Sequence, residues 1–482
     1  MTEVQLDAEL ARARPRGRPA AGRFPGPRSL PLIGWQLQGL DMLKDPAAHF
    51  MRAYERYGPI STWEPHRPRH ILAFGPEYNR QVFGDPDTFI VDAFREANLP
   101  IGTAMSRLSF GLLRLNGDEH RRQRTLMQPS FAARRVEHYL DTVVAATSAA
   151  LDTWQVGEQR RLDDDVFRVI AAIAMKTMFG LDDVADGERL QRLIERLLAV
   201  AASPATLLLR LDVPGMPYHG MLQTARRIEE ILLGLIRAKR AATDPSRDVL
   251  SDLLNASGER GQVLSDDELV GQAYNVLCHS GSAACVTWTL LLLDQHPAVL
   301  RSLVEELRDT LHGAPPTIEA LPRLELLEAV IKESLRLFPP AAFLLRYAAR
   351  DCRLGDYEVP KDATVFISPY VSHRCPTVFS DPLRFVPDRW RTGNRPAHEY
   401  HPYGLGPHNC LGRHIAQLEM KVILAMLLQR FRPALPPGTR IDRRMHISMV
   451  PKQGLPMILH PVDRPVERNP VQGNIRDHLV LD

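Results

Sequence analysis

The sequence predicts a mainly α-helical protein with small β-sheets, and three observations carry that expectation. Apolar residues recur at helical spacing through most of the chain from about residue 30 to about 460. Short alternating or β-branched runs bounded by Gly and Pro are confined to residues 59–76 and 342–367, where strands are expected. One apolar stretch, from Leu264 to Leu293, is long enough for a helix of about 30 residues, roughly 45 Å at 1.5 Å per residue.

Taken in order, residues 1–22 are basic, with Ala11-Arg12-Ala13-Arg14-Pro15-Arg16-Gly17-Arg18 at their centre, and lack the apolar residues to fold; a disordered arm is expected. Pro25-Gly26-Pro27 through Pro31 and Gly34 is a proline-punctuated lead-in that cannot be helical. The long stretch begins at Leu264-Ser265-Asp266-Asp267-Glu268, a good helix start with acids in the first turn, and stops before His296-Pro297. It is apolar on most faces, which places it centrally rather than on the surface. A second helix over Leu324–Leu337 ends before Pro339-Pro340, and a third runs from Arg413 to Phe431. A length of 482 residues suggests several domains as a soft prior, but no long polar linker interrupts the chain. A single domain over 23–460 is therefore expected, with 461–482 as a polar tail carrying three prolines and resembling an arm.

Composition limits the function. A net charge of +3 gives no general affinity for nucleic acid. Ser29-Leu30-Pro31-Leu32-Ile33-Gly34 is too short to span a bilayer, and no basic segment followed by an apolar one opens the chain, so neither membrane anchor nor secretory signal is expected. The cysteines, Cys278, Cys285, Cys352, Cys375 and Cys410, are odd in number and widely scattered. They suit a reducing cytoplasm rather than a disulfide framework.

The richest segment is Tyr403-Gly404-Leu405-Gly406-Pro407-His408-Asn409-Cys410-Leu411-Gly412. Its glycines make a tight loop whose backbone can approach a flat ligand, and a helix follows at once. Cys410 thus sits at a helix N-terminus, where backbone donors stabilise a thiolate. An ordinary buried cysteine is one alternative. A zinc site of His408, Cys410 and His414 is another, although no C-x-x-C pair accompanies it. Glu333 and Arg336, three apart, share a helix face and can pair, a solvated surface pair being the default for this pattern. Arg389 lies in Phe385-Val386-Pro387-Asp388-Arg389-Trp390, and Arg124 closes the basic run that begins at His120.

Together and in this order, these motifs resemble the cytochrome P450 family. The cysteine loop is similar to that family's F-x-x-G-x-[RH]-x-C-x-G, with Tyr403 at the usual Phe. The resemblance implies the cytochrome P450 fold, with a haem between the long central (I) helix and the helix after the cysteine loop (L). It implies Cys410 as axial thiolate to iron, which favours O–O cleavage. Lacking C-x-x-C-H, the chain would hold haem b without covalent attachment. His120, Arg124, Arg346 and His408 would meet the propionates, with His120 at the position of a family Trp. Gly406 and Gly412 would make room against the porphyrin. Glu333, Arg336 and Arg389 resemble the family's buried structural triad.

One stretch departs from the family. Where an acid–alcohol pair normally relays protons, the central helix reads Cys278-His279-Ser280-Gly281-Ser282-Ala283-Ala284-Cys285, and Gly281 stands at the threonine position. Ser280, Ser282, water or a substrate hydroxyl would have to take over the relay. The resemblance implies a monooxygenase of secondary metabolism that inserts one atom of O2 into a lipophilic terpenoid, polyketide or fatty-acyl molecule. The missing pair keeps open a peroxygenase, an oxygen-independent isomerase, or weak or lost activity; a non-catalytic haem or ligand-binding protein is the other class. Separate redox proteins, a ferredoxin and its reductase, would supply electrons, docking by way of Arg121, Arg122 and Lys421.

Overall fold

The computed structural model describes residues 23–481 except 28–33, 93–94, 96–98, 100–101, 182–183, 202, 204, 207–208, 242–247, 257–260, 262, 278–280, 392, 394, 446–447 and 466. The expected basic arm, 1–22, lies outside the described residues, as does Ser280. Two compact units are formed. The first comprises Met1–Asp92, Ala341–Pro382 and Arg395–Asn409, and the second Ala93–Pro340, Leu383–Asn394 and Cys410–Asp482.

The first unit is built on a five-stranded sheet in the order Ile60–Thr62, His70–Ala73, Thr364–Ile367, Leu344–Ala348, Phe89–Ile90. His70 pairs with Thr364 in parallel, whereas Leu344 faces Ile367 and Phe89 faces Ala348 antiparallel. Four of these strands fall within 59–76 and 342–367, where the β-branched runs predict them, whereas Phe89–Ile90 lies outside both segments. Their alternation buries Ile71, Ala73, Val365 and Ile367 on a core shared with Val82 and Phe83 of the Pro76–Gly84 helix. A hairpin of Cys352–Leu354 and Tyr357–Val359 turns at Gly355, whose φ of +60° glycine adopts without the Cβ penalty.

The second unit is mostly helical. Its centre is the helix Gly281–Gln295, in which every side chain from Ser282 to Gln295 is buried. Helices Leu162–Phe179, Glu325–Leu337 and Arg413–Arg430 pack against it. Ahead of it, Asp266–Leu277 starts with a reciprocal capping box. The Ser265 N–H donates to Glu268 Oε2 at 2.7 Å, and the Glu268 N–H to Ser265 Oγ at 3.3 Å. The stretch Asp266–Gln295 is long and apolar enough to cross a membrane, but 87% of its most apolar window is buried inside the protein. Pro297 opens the next helix at its first position, where the missing N–H costs nothing.

The segment after Pro461 does not behave as an arm. Val471, Ile475 and Leu479 are buried. The Ile475 N–H donates to Ile441 O and the Val480 N–H to Leu383 O, while Gln295 Nε2 donates to Asn469 O at 2.8 Å. Three apolar residues spaced through a polar stretch supply enough buried surface to hold it down.

Candidate active site

The buried ion pair is the best-defined part of the site region. Glu333 and Arg336 lie on Glu325–Leu337 with no exposed side-chain surface, and Arg389 lies on the 3-10 turn Pro387–Trp390. Arg336 grips the carboxylate with Nε on Oε2 and Nη2 on Oε1, both at 2.9 Å. Arg389 Nε and the Val386 N–H also donate to Oε1, at 3.0 and 2.9 Å, and Trp390 Nε1 donates to Oε2 at 2.9 Å. Burial pushes the Glu333 pKa up, but Arg336, then Arg389 and the Val386 N–H, outweigh it and hold the carboxyl below its ordinary value. The bland reading of this E-x-x-R as a surface pair therefore fails. Sequence reasoning missed Trp390 as a donor, although it follows Arg389 directly.

Next to this network, Trp288 of the central helix stacks on Phe338 at 4.3 Å between ring centroids and donates to Met449 O at 2.8 Å. Met449 in turn donates its N–H to Pro340 O. The chain that leaves the Glu325–Leu337 helix is thus pinned to the central helix.

Cys410 stands two residues before Gly412, the N-cap of Arg413–Arg430. Burial pushes the thiol pKa up, while a hydrogen bond from the Gly412 N–H and the charges of Arg124 and Arg413 act in the opposite direction. Cys410 nonetheless keeps solvent-accessible surface, so protein surrounds the residue without covering it. Arg124, on the helix Gly117–Phe131, is depressed by burial and held up by Cys410. His120 on the same helix is buried, its pKa lowered to about 4 by burial and by Arg124 and Arg121, so it is a neutral imidazole at pH 7.

In the first unit, His408 closes the 3-10 turn Gly406–His408. Gly406 is glycine for a reason internal to the protein. Its φ is +74°, and a Cβ there would stand 2.9 Å from the Phe83 carbonyl oxygen. Arg346 points from the Leu344–Ala348 strand into the protein. It is 6% exposed, lies over the Phe83 ring at 5.0 Å and donates to Leu345 O. Burial lowers its pKa to about 10, and among the described residues no carboxylate offsets the charge.

In the second unit, Gly281 is the first described residue of its helix, and a Cβ there would touch Pro340 at 3.4 Å. Ser282 follows, buried. The charges expected to dock a redox protein are already engaged. Arg121 pairs with Asp118, Arg122 with Glu119 and Glu268, and Lys421 with Glu328 at 2.9 Å.

The family model of cytochrome P450 matches residues 24–459. The chain belongs to the cytochrome P450 family. Its relatives include the cyclooctat-9-en-7-ol 5-monooxygenase of Streptomyces melanosporofaciens, 31% identical over 89% of this chain and 93% of that one. The cyclooctatin synthase of the same organism is 29% identical over 88% and 92%. Among solved structures, retinoic-acid-bound cyanobacterial CYP120A1 superposes with a TM-score of 0.80 at 25% identity, covering 92% of this chain and all of that one. As a cytochrome P450 the protein is an oxidoreductase of the monooxygenase type, and membership implies a haem held by a cysteine thiolate. The residues fit such a group. The Cys410 sulfur keeps accessible surface beside a backbone donor, the buried Arg346 guanidinium has no acidic partner among the described residues, and a Cβ at Gly412 would meet nothing within 4 Å.

Proposed function

We propose that the protein inserts one oxygen atom from O2 into a lipophilic terpenoid, with haem b held by Cys410 and electrons drawn from a separate ferredoxin-type partner. The observation that carries this reading is the placement of Cys410, accessible at the start of Arg413–Arg430 with the Gly412 N–H on its sulfur. A bound metal ion would add its positive charge and deprotonate the thiol outright, overcoming the upward push of burial. Arg124, Arg346, His408 and His120 are proposed to hold the propionates, and Arg346 gains there the counter-charge it otherwise lacks. Gly412 supplies clearance for the flat group. The two units are proposed to act as one haem domain over 23–460. The haem supplies the oxygen-activating chemistry; the protein supplies a dry site, orientation and protons. A terpenoid is favoured because one relative is named for oxidising cyclooctat-9-en-7-ol, another for making cyclooctatin, and one solved relative carries retinoic acid.

The proton supply is the atypical part. Gly281 has no hydroxyl, which leaves Ser282 as the alcohol among the described residues that follow it directly. Ser280 lies outside the described residues. The same observation supports a second reading, in which the protein uses peroxide or rearranges its substrate without oxygen.

The test is spectroscopic and then chemical. The ferrous carbonyl complex should show the absorption specific to thiolate ligation, and Cys410→Ser should abolish it. A variant spectrum identical to the parent would refute Cys410 as the ligand. Product formed equally well without O2, with or without peroxide, would exclude the monooxygenase reading.

A further inference from the structure

A cavity of about 280 Å³ lies in the second unit, beyond the end of Arg413–Arg430 that is remote from Cys410. That helix has 18 residues, about 27 Å at 1.5 Å per residue, so the cavity stands well clear of the cysteine loop. Its floor is one face of a sheet. Strands Arg432–Ala434 and Pro456–His460 pair antiparallel, with Arg432 opposite His460 and Ala434 opposite Ile458. Residues two apart on a strand share a face, and directly opposite partners stand about 4.5–5.5 Å apart at Cβ, so these four line the cavity together. The segment after Pro461 adds Arg464 and Glu467, and Leu300 of Pro297–Leu311 adds an apolar wall.

The charges of this lining do not balance. Arg432 is 7% exposed, and its Nη1 donates to two backbone carbonyls, Leu428 O and Phe431 O, the second at 3.1 Å. Among the described residues its Nε and Nη2 meet no acceptor, so the side chain brings unused donors to the cavity. Burial lowers its pKa, and among the described residues no carboxylate offsets the charge. Opposite it, the His460 ring sits against Arg464, whose Nη1 lies 2.6 Å from Nε2. Burial and then Arg464 lower the His460 pKa. Glu467 is the acid of the lining, but it is exposed and makes no ion pair among the described residues. The neighbouring cations are turned elsewhere, Arg430 to Asp152 at 2.7 Å and Arg468 to Gln295 at 3.3 Å. Two guanidiniums lining one cavity repel, and burying one of them is costly, unless an anion lies between them.

We propose that this cavity binds a small organic oxyanion, a carboxylate or phosphate head on a short apolar body. Arg432 and Arg464 take the head, in charge-assisted hydrogen bonds, and Ile458 and Leu300 take the body. The volume lies just below the range of about 300–1,000 Å³ usual for ligand pockets, which suits a small molecule. Asn469, also in the lining, donates Nδ2 to Leu435 O at 2.7 Å and accepts from Gln295 at the end of the central helix. A ligand held there fastens the segment after Pro461 to the sheet beside that junction, whether or not Cys410 holds a haem.

Full-length, haem-loaded protein is titrated by calorimetry with hexanoate, hexyl phosphate, inorganic phosphate and hexanol. The haem spectrum and the amide hydrogen exchange of residues 461–469 are followed on the same samples. At least one of hexanoate and hexyl phosphate should bind with a Kd of about 1 mM or tighter, slow that exchange and leave the haem spectrum unchanged. The tighter of the two identifies the head. Arg432→Met should weaken that binding by about tenfold or more, and Glu467→Gln should tighten it by about twofold or more. Failure of both probes to bind, equal binding of hexanol, or binding that shifts the haem spectrum without slowing exchange overturns the site. Weaker binding to Glu467→Gln overturns the anionic class, and inorganic phosphate binding as tightly as hexyl phosphate overturns the apolar body. Should Arg432→Met fail to accumulate, Arg464→Gln decides: weakened binding supports the site, and unchanged binding refutes it.

Discussion

Replacing Glu333 by Ala removes the acceptor on which five donors converge, two from Arg336 and one each from Arg389, Trp390 and the Val386 N–H. The neighbourhood cannot relax into water, since Arg336 is fully buried and the Arg389 side chain is 7% exposed. Both guanidiniums lose their shared carboxylate, and breaking one partner of a buried pair costs about 3–5 kcal/mol. For 482 residues, an unfolding entropy of about 2.1 cal/mol/K per residue is about 1 kcal/mol/K, so a fully cooperative melt falls by about 3–5 °C. It falls further if the unit holding the network melts alone. Glu333→Gln is no milder substitute, because its NH2 must face N–H donors whichever way the amide lies. The sign of the pH dependence follows from the depressed carboxyl. Its stabilisation is complete above the ordinary value of 4.5 and is lost as pH falls through the lower folded-state pKa. Differential scanning calorimetry of parent and variant between pH 4 and 8, with haem content measured on the same samples, is the assay. A Glu333→Ala protein that loads haem normally and melts within about 1 °C of the parent at pH 7 would refute the reasoning.

Three further outcomes are expected. Arg346→Met, a replacement of similar length without charge, should leave the haem-free protein as stable or more stable, yet release haem about tenfold faster by haem-transfer kinetics; an unchanged release rate removes Arg346 from the site. Glu419 binds its proton more tightly folded, about 7, than its ordinary 4.5, so its contribution to stability is complete below about 4.5 and declines as pH rises to about 7. Glu419→Gln escapes that decline, and its stability relative to the parent, by urea unfolding, should rise across this window; parallel curves would sink the assignment. Gly281→Thr should fold with a loss of about 1–3 kcal/mol from crowding against Pro340 and should lower peroxide release, and unaltered release would show that no hydroxyl is wanted there.

What the sequence revealed, and what it hid, follows physical lines. The capping box at Ser265 and Glu268, the stop at His296-Pro297 and the strands of 59–76 and 342–367 depend on neighbouring residues, and local patterns displayed them. The motif spacing around Cys410 and Glu333 was equally local. Burial of an ion pair is not, since nothing in E-x-x-R distinguishes a surface pair from one sealed under Trp390. The pairing of Lys421 with Glu328 joins residues 93 apart, so a cation counted as free in the sequence is engaged in the fold. The burial of Glu419 within Arg413–Arg430 has no local mark in the sequence either, because it depends on the elements packed around that helix. The tail after Pro461 was misjudged because composition averages over a segment, whereas anchoring needs only Val471, Ile475 and Leu479.

That anchoring bears on how the protein is handled. The last residues run back to Leu383, a few positions before Arg389, and Asn469 meets the end of the central helix at Gln295. Truncation at His460 would uncover three apolar docking points and take away the acceptor of Gln295. An affinity tag or electron-donating module attached close behind Val480 would pull on the same strand of chain, so a flexible spacer is the sounder design.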